Sequence, residues 1–151
     1  VTFADNRAPL LARFPQYAEA IHAWETRCWD MFSGPIPETE AAIEALHAAG
    51  VPQYGVTNMS HETFPGTIAM SPAFARLRDY VVSAHVGLMK PDPAFFAHAC
   101  EKFGLAPGEV VFVDDSAANI ESARRFGFDA HHFTDPAALR PALEARELLR
   151  V

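Results

Sequence analysis

Polar residues of complementary kinds follow three of the segments that the sequence predicts as strands. Thr57 and Asn58 end the first of these segments, Lys90 follows the second, and Asp114 and Asp115 end the third. In an open parallel sheet the reactive groups gather at the carboxyl ends of the strands. We therefore expect a hydroxyl, an amide, an ammonium group and two carboxylates to lie close together in space.

The adjacent carboxylates of Asp114 and Asp115 indicate a cation. Neighbouring acids repel each other, and this repulsion opposes ionisation unless a cation lies between or beside them. Hard oxygen ligands suit Mg²⁺, which takes one or two carboxylates from a protein and keeps several waters. Together with the hydroxyl of Thr57 and the ammonium group of Lys90, such a metal would bind the oxygens of a phosphate group. Each of these residues alone is more often a turn, a cap or a solvated side chain, so the prediction depends on their combination.

The elements that would position these residues alternate between strand and helix from about residue 36 onward. Short apolar runs predict strands, and the segments between them have the three- and four-residue spacing of helices. The predicted strands are 53–58, 80–84, 110–113 and 130–134, and the predicted helices are 37–49, 92–103, 116–126 and a last one from 135. Strands that alternate with helices form a parallel sheet with right-handed crossovers. We therefore predict a doubly wound, Rossmann-like α/β domain over 36–151.

The first 35 residues differ from the rest. Apolar residues recur there at three- and four-residue intervals between positions 10 and 31, which is typical of amphipathic helices. Segment 33–37 contains a glycine and two prolines and predicts a linker. We therefore expect a small, separate helical part over residues 1–35.

The composition predicts a globular protein that binds neither nucleic acid nor a membrane. Half of the 151 residues are apolar, the net charge is −7, and no run of Lys or Arg could follow a phosphate backbone. No apolar stretch is long enough to span a bilayer, and the N-terminus lacks the pattern of a signal peptide. Cys28 and Cys100 make no disulfide framework, which fits a reducing cytoplasm. The seven histidines have no metal-ligand spacing.

Three segments, taken in order, resemble motifs of the haloacid dehalogenase-like superfamily. They are Val-Thr-Asn at 56–58, Gly-Leu-Met-Lys-Pro-Asp-Pro at 87–93 and Phe-Val-Asp-Asp-Ser-Ala-Ala-Asn at 112–119, similar to the second, third and fourth motifs of that superfamily. The flanking segments 29–37 and 132–136 resemble the branch with a small helical cap, close to its sugar-phosphate phosphatases. The resemblance covers nearly the whole chain. It implies a hydrolase with a Rossmann-like core over 36–151 and a partial cap over 1–35.

The resemblance also implies a role for each residue. Thr57 binds the transferring phosphoryl group with Asn58 beside it, and Lys90 neutralises the charge between nucleophile and phosphate. The carboxylates of Asp114 and Asp115 hold Mg²⁺ directly or through its water. The implied reaction is hydrolysis of a small phosphorylated metabolite, such as a sugar phosphate, through an aspartyl-phosphate.

Asn119 has a supporting role by the same resemblance. It is similar to a family position that braces the loop of the fourth motif, one helical turn beyond the acidic pair.

The first motif of the superfamily has no counterpart in this sequence. That motif, an Asp-x-Asp pair at the end of the first strand, supplies the nucleophile and the general acid, and no such pair precedes Thr57. Asp5 and Asp30 lie in segments without the apolar strand. In the family the first strand lies in the centre of the sheet, so we expect a gap in the core. We interpret the chain as a fragment that begins inside the cap, with its nucleophile upstream and little or no turnover of its own.

Three other functions compete with a phosphatase. A 2-haloacid dehalogenase needs no metal, and the paired carboxylates of Asp114 and Asp115 would repel its carboxylate substrate. A phospho-receiver domain also uses acids, a Thr and a Lys at strand ends, but its acidic pair comes first in the chain, whereas here it comes last. The third alternative is a non-catalytic binding protein of the same superfamily, which would explain why the sequence has no nucleophile motif.

Overall fold

The computed structural model describes residues 2–150 as an α/β unit preceded by two helices. The helices are α1 (Phe3–Arg13), α2 (Ala18–Arg27), α3 (Pro37–Ala48), α4 (Phe64–Ala69), α5 (Ser83–Val86), α6 (Pro93–Phe103), α7 (Ala117–Phe126) and α8 (Pro136–Glu144). The strands are β1 (Gly55–Thr57), β2 (Tyr80–Val82), β3 (Val111–Asp114) and β4 (Asp129–His132). Short 3₁₀ turns lie at Pro15–Tyr17, Cys28–Met31, Pro72–Arg76 and Pro107–Glu109. All four predicted strands and all four predicted helices of the α/β part are present, with ends that differ by a few residues.

Local sequence explains where the helices of the α/β part begin and end. The side chain of Asp92 accepts a hydrogen bond from the backbone N–H of Ala94, and Pro93 occupies the first turn of α6. Gly104 ends α6 in the left-handed conformation, with φ 68°. Helix α7 ends in the same way at Gly127, with φ 110°. These ends hold the preceding and following strands at fixed positions.

The strands form two separate parallel pairs. β1 pairs with β2, so that Thr57 lies opposite Val82, and β3 pairs with β4, so that Asp114 lies opposite His132. Neither pair is hydrogen-bonded to the other. The predicted parallel α/β architecture is confirmed, and its strands are divided between the pairs β1–β2 and β3–β4.

Two hydrophobic clusters form the core. The larger one joins α6, α7 and the strands around four buried or nearly buried phenylalanines, with Phe95 and Phe96 fully enclosed. The smaller one joins α3 and α8 through Ala42, Leu139 and Leu143. The two clusters lie on different helices, as expected for a sheet that is covered on both faces.

The N-terminal helices are attached loosely to the α/β part. α1 and α2 contain no buried residue, and the large side chains of Tyr17 and Trp24 are 60% and 53% exposed. The described contacts with the rest include a hydrogen bond from the Phe3 N–H to Glu62, at 2.8 Å, and the packing of Trp29 against Gly66. The predicted amphipathic helices are present, and their apolar residues are only partly covered: Leu11 and Ile21 are half-buried, whereas Leu10 is exposed.

Within residues 2–150 no helix is both long and apolar enough to cross a membrane.

Candidate active site

Lys90 connects the carboxyl ends of the two strand pairs. Its ammonium nitrogen lies 2.6 Å from Oδ2 of Asp114, at the end of β3, and donates at 3.1 Å to the backbone carbonyl of Val56, in β1. The Lys90 and Asp114 side chains are only 10% and 5% exposed. The ring of Phe112 lies 5.7 Å from the same nitrogen. One cation therefore marks the point where β1 and β3 end together.

Asp114 is held by hydrogen bonds on both carboxylate oxygens. Oδ1 accepts from the Ser116 N–H and from Nδ2 of Asn119, each at 2.9 Å, while Oδ2 accepts from Lys90. Burial raises the pKa of this carboxyl, but the hydrogen bonds from Lys90, Asn119 and Ser116, with the charge of Lys90, outweigh burial and lower the pKa below its usual value. Asp114 is therefore ionised at neutral pH and fixed in orientation.

Asn58 fixes the backbone of Lys90. Its Nδ2 donates to the Lys90 carbonyl and its Oδ1 accepts from the Lys90 N–H, both at 2.8 Å. These two bonds use one amide donor and the amide oxygen of the side chain. These contacts fit a role for Asn58 in positioning Lys90. For the predicted contact with phosphate, Asn58 has only its second amide N–H left to donate.

Thr57 and Asp115 complete the predicted set by their places in the chain. Thr57 is the last residue of β1, half-buried, between Val56 and Asn58. Asp115 follows directly after β3 and is exposed, and its backbone carbonyl lies 2.9 Å from Nε2 of His132. The structure thus brings Lys90 and Asp114 into direct contact. Thr57 lies between Val56 and Asn58, which both contact Lys90, and Asp115 follows Asp114.

Asp114 and Asp115 are the two carboxylates of the candidate site that Mg²⁺ could use. No group of three or more His, Cys, Asp or Glu side chains within residues 2–150 is close enough to hold a metal. Mg²⁺ needs only one or two carboxylates, since waters and phosphate oxygens complete its shell. Lys90 already occupies Oδ2 of Asp114, so the exposed carboxylate of Asp115 is the more accessible ligand.

Sequence reasoning missed several contacts of the site. The Val56 carbonyl and the Ser116 N–H belong to the backbone, which residue types do not reveal. His132 has no metal-ligand spacing in the sequence, yet its ring contacts the Asp115 carbonyl. The position of His132 at the end of β4, opposite Asp114, was the one available signal.

The model of the haloacid dehalogenase-like hydrolase family matches residues 6–127. This chain belongs to that family. The match includes the Thr57–Asn58 pair, Lys90 and the acidic pair, so the predicted resemblance to this family is confirmed. The family assignment does not by itself give the substrate.

Phosphatases and dehalogenases are both among the characterised relatives. The chain is 28% identical over 115 residues to a sesquiterpene phosphatase of Aspergillus oryzae, with 76% of this chain and 58% of that protein covered. It is 38% identical over 93 residues to the N-acetylmuramic acid 6-phosphate phosphatase of Pseudomonas aeruginosa, with 61% and 39% covered. It is 29% identical over 93 residues to (S)-2-haloacid dehalogenase 1 of a Pseudomonas species, with 62% and 41% covered. The chain therefore spans less than two thirds of each of these relatives.

A solved structure from Bacteroides thetaiotaomicron has the same fold. It is a family enzyme, an aspartate-to-alanine mutant in complex with magnesium and inorganic phosphate, with a TM-score of 0.65 and 18% identity; 87% of this chain and 70% of that one are covered. At this identity the likeness concerns the fold. The likeness agrees with the parallel α/β architecture. The match also covers a larger share of this chain than of the solved one.

Proposed function

We propose that this chain contributes the phosphate- and metal-binding part of a Mg²⁺-dependent phosphomonoester hydrolase. The observation that carries the proposal is the contact of Lys90 with both Val56 of β1 and Asp114 of β3. This contact puts a cation where the carboxyl ends of the strands meet, which is the usual place for ligands in open α/β sheets. The phosphatase relatives support a small phosphorylated metabolite, such as a sugar phosphate, as the substrate.

Each residue has a part in the proposed mechanism. Lys90 neutralises charge on the phosphate oxygens, and Asn58 holds the Lys90 backbone in place. The Thr57 hydroxyl donates to a phosphate oxygen. Asp114 and Asp115 would hold Mg²⁺, which when bound neutralises the charge that develops on the transferring oxygens.

The nucleophile is an aspartate outside the 151 residues. Its carboxylate attacks phosphorus, the bond to the leaving alkoxide breaks, and the alkoxide takes a proton from a general acid to become an alcohol. Water then attacks the aspartyl-phosphate, which releases inorganic phosphate and a proton and restores the carboxylate. The hydrogen bond from Asn119 keeps Asp114 in one orientation through both steps.

Metal binding by the chain itself tests this proposal. Calorimetric titration with Mg²⁺ in the presence of inorganic phosphate should give saturable binding, and Asp115→Asn should weaken it about 10- to 100-fold. Asp135→Asn is the matched control, because Asp135 caps α8 and lies outside the site. Equal Mg²⁺ affinity in the parent and Asp115→Asn would reject the metal assignment.

A 2-haloacid dehalogenase is the second candidate. Lys90 neutralises Asp114, which leaves a single free carboxylate and weakens the repulsion expected for a carboxylate substrate. The dehalogenase relatives support the same candidate. Release of chloride from 2-chloropropionate in the presence of a chelator, by the chain joined to its nucleophile strand, would favour it. Phosphate release that a chelator stops would favour the phosphatase.

A further inference from the structure

Asp115 lies at the turn between β3 and α7, where the chain leaves the sheet. It follows the last residue of β3, and the next residue, Ser116, directly precedes α7. The side chain of Asp115 is exposed, whereas the carboxylate of its neighbour Asp114 is buried and accepts three hydrogen bonds. The orientation of Asp115 therefore depends on the contacts of its backbone.

The peptide unit between Asp115 and Ser116 is held at both ends. Its carbonyl oxygen lies 2.9 Å from Nε2 of His132, and its N–H donates at 2.9 Å to Oδ1 of Asp114. A carbonyl oxygen only accepts, so Nε2 of His132 carries the hydrogen, as it does in one neutral tautomer and in the protonated ring. Because a peptide unit is planar, hydrogen bonds at its two opposite ends fix the orientation of the whole plane.

The peptide unit before Asp115 is held as well. Its carbonyl, which belongs to Asp114, accepts a hydrogen bond at 2.9 Å from the N–H of Phe133, the residue after β4. The Cα atom of Asp115 therefore lies between two peptide planes that cannot turn freely. Since φ and ψ are the only soft backbone dihedrals of a residue, these planes give the Cα–Cβ bond of Asp115 one direction.

The end of β4 provides both of the donors that reach the two carbonyls. Asp114 lies opposite His132 in the parallel pair, and successive side chains of a strand point to opposite faces. His131 therefore points away from the face of His132, and its Nε2 is buried without a hydrogen-bond partner among the described residues. Of these two adjacent histidines, His132 is the one that contacts the turn after β3.

We infer that His132 is a positioning residue of the candidate site, which orients the Asp115 carboxylate through the peptide unit between Asp115 and Ser116. Asp114 is oriented by hydrogen bonds to its side chain, and Asp115 by hydrogen bonds to the peptide units on either side of it. Groups that orient a metal ligand contribute to metal affinity although they do not touch the metal. That the oriented carboxylate holds Mg²⁺ rests on the proposed function; that His132 fixes the peptide unit does not.

NMR of the metal-free protein tests the effect on the backbone. His132→Phe keeps an aromatic ring and removes the donor, so the order parameters of the Asp115 and Ser116 amides should fall from about 0.85, typical of rigid backbone, toward about 0.6. His131→Phe is the matched control on the same strand and should leave both amides as rigid as in the parent. Unchanged order parameters in a folded His132→Phe protein would overturn the inference.

The ring of His132 can also be tested in the parent protein, without any variant. Nitrogen NMR should show that Nε2 carries a hydrogen, because only then does it donate to the Asp115 carbonyl. A neutral ring with its hydrogen on Nδ1 alone would overturn the inference.

Titration with Mg²⁺ in the presence of inorganic phosphate measures the consequence for the metal. His132→Phe should weaken Mg²⁺ binding about tenfold or more, the usual scale for groups that orient a metal ligand. His132→Gln should retain most of the parent's affinity, because its amide nitrogen reaches nearly the position of Nε2 and donates to the same carbonyl. A role in packing alone predicts the opposite order, since phenylalanine replaces the ring better than glutamine does. Mg²⁺ affinity that is no higher in His132→Gln than in His132→Phe would overturn the inference.

Asp115→Asn separates this inference from the proposed function. If Asp115→Asn weakens Mg²⁺ binding and His132→Phe does not, the positioning role is rejected and the metal assignment stands. If neither variant changes Mg²⁺ binding while the Asp115 and Ser116 amides lose order in His132→Phe, the metal assignment is rejected and the role of His132 on the peptide unit stands. Circular dichroism identifies which variants are folded.

Discussion

The ion pair of Lys90 and Asp114 differs from the other ion pairs of the described chain in its burial. Both side chains are at least 90% covered, whereas Lys102 and Asp79 are 37% and 48% exposed. Burial of a charge is costly unless a partner and hydrogen bonds compensate. Asp114 has that compensation from three donors, so removal of any one of them is expected to be felt in stability as well as in function.

Lys90→Met should destabilise the protein by about 3 kcal/mol at pH 7, because it leaves a buried carboxylate without its counterion. Lys102→Met, the matched control, should cost less than about 1 kcal/mol, since that pair is exposed. The lowered pKa of Asp114 stabilises the parent above its usual pKa, and this contribution is lost as the pH falls. In Lys90→Met burial raises the pKa of Asp114, so this carboxyl is protonated at a higher pH than in the parent, and the cost of its buried charge disappears. The difference in unfolding free energy between the parent and the variant, measured with urea, should therefore become smaller from pH 7 to pH 4. A difference that does not change with pH would contradict the role of Lys90 as the counterion of Asp114.

Asn119→Ala should cost about 1.5 to 3 kcal/mol, because a buried hydrogen bond to a charged carboxylate is lost. Glu121→Ala, on the same helix, removes only an exposed ion pair with Arg125 and should change the unfolding free energy by less than about 0.5 kcal/mol. Urea denaturation at neutral pH measures both. Equal effects of the two substitutions would show that Asn119 does not brace Asp114.

The sequence predicted the members of the site better than their partners. Thr57, Lys90 and Asp114 were predicted because hydroxyl, ammonium and carboxylate groups at strand ends are chemically distinctive. The contacts among them were not predicted: the ion pair of Lys90 with Asp114 depends on side-chain geometry, which residue spacing does not contain.

At the scale of elements, one of the contacts between the N-terminal part and the rest is the packing of Trp29 on α4. A Cβ atom added to Gly66 would lie 2.4 Å from the ring of Trp29, so only glycine admits the indole at this distance. Trp29 is 38% exposed and its ring can swing outward. A side chain added at Gly66 is therefore expected to displace the Trp29 ring, with only a small loss of stability.

Gly66→Ala should shift the tryptophan emission to longer wavelength, since the Trp29 ring moves into water. The unfolding free energy should change by less than about 1 kcal/mol, because the helix propensity gained offsets part of the lost contact. A Trp24→Phe background removes the second tryptophan. Gly108→Ala is the matched control, because a Cβ there meets nothing within 4 Å. An unchanged spectrum in Gly66→Ala would show that Trp29 does not pack on α4.

Arg146 connects the end of α8 with β4. It makes two hydrogen bonds with Asp129, at 2.7 and 2.8 Å, which lower the pKa of that carboxyl against the opposing effect of burial. Arg146→Lys loses this paired geometry and should cost up to about 1 kcal/mol at pH 7. Because the pKa of Asp129 is lowered, its pairing with Arg146 stabilises the fold above the usual pKa of 3.8, and this stabilisation is lost as the pH falls below that value. The difference in thermal stability between the parent and Arg146→Lys should therefore be smaller near pH 3.5 than at pH 7. Arg140→Lys, in an exposed pair on the same helix, should show no such pH dependence.

The order of the elements was predictable, and the division of the sheet was expected only through the missing first motif. Asp92 before Pro93, and the glycines at 104 and 127, mark the helix ends in the sequence. The short helices α4, between β1 and β2, and α5, directly after β2, were not predicted, because they are too short to show a helical period. The exposure of the N-terminal apolar face was also missed, since an amphipathic pattern does not say what covers it.

For the molecule as a whole, burial is concentrated in the α/β part; within residues 2–36 only Cys28 is buried. Both hydrophobic clusters are built from residues after position 41, and the part before it exposes several large apolar side chains. These are Leu10, Tyr17, Trp24, Trp29, Met31, Phe32 and Ile36. If the division proposed from the sequence, with 1–35 as a partial cap, is right, the α/β part should fold without the cap.

A chain that begins at residue 34 should remain folded, because α1 and α2 bury nothing in the core. Its unfolding free energy should lie within about 2 kcal/mol of the parent, the scale of one exposed hydrogen bond and a partly covered indole. Dye binding to exposed apolar surface should fall, since the apolar face of the cap is gone. Removal of 135–150 is the contrasting deletion: it takes away Leu139 and Leu143, each worth about 2 to 5 kcal/mol in a core, and should abolish the cooperative urea transition. Loss of that transition in the chain that begins at 34 would instead make the cap part of the folding unit, since the α/β part would then depend on contacts from α1 and α2.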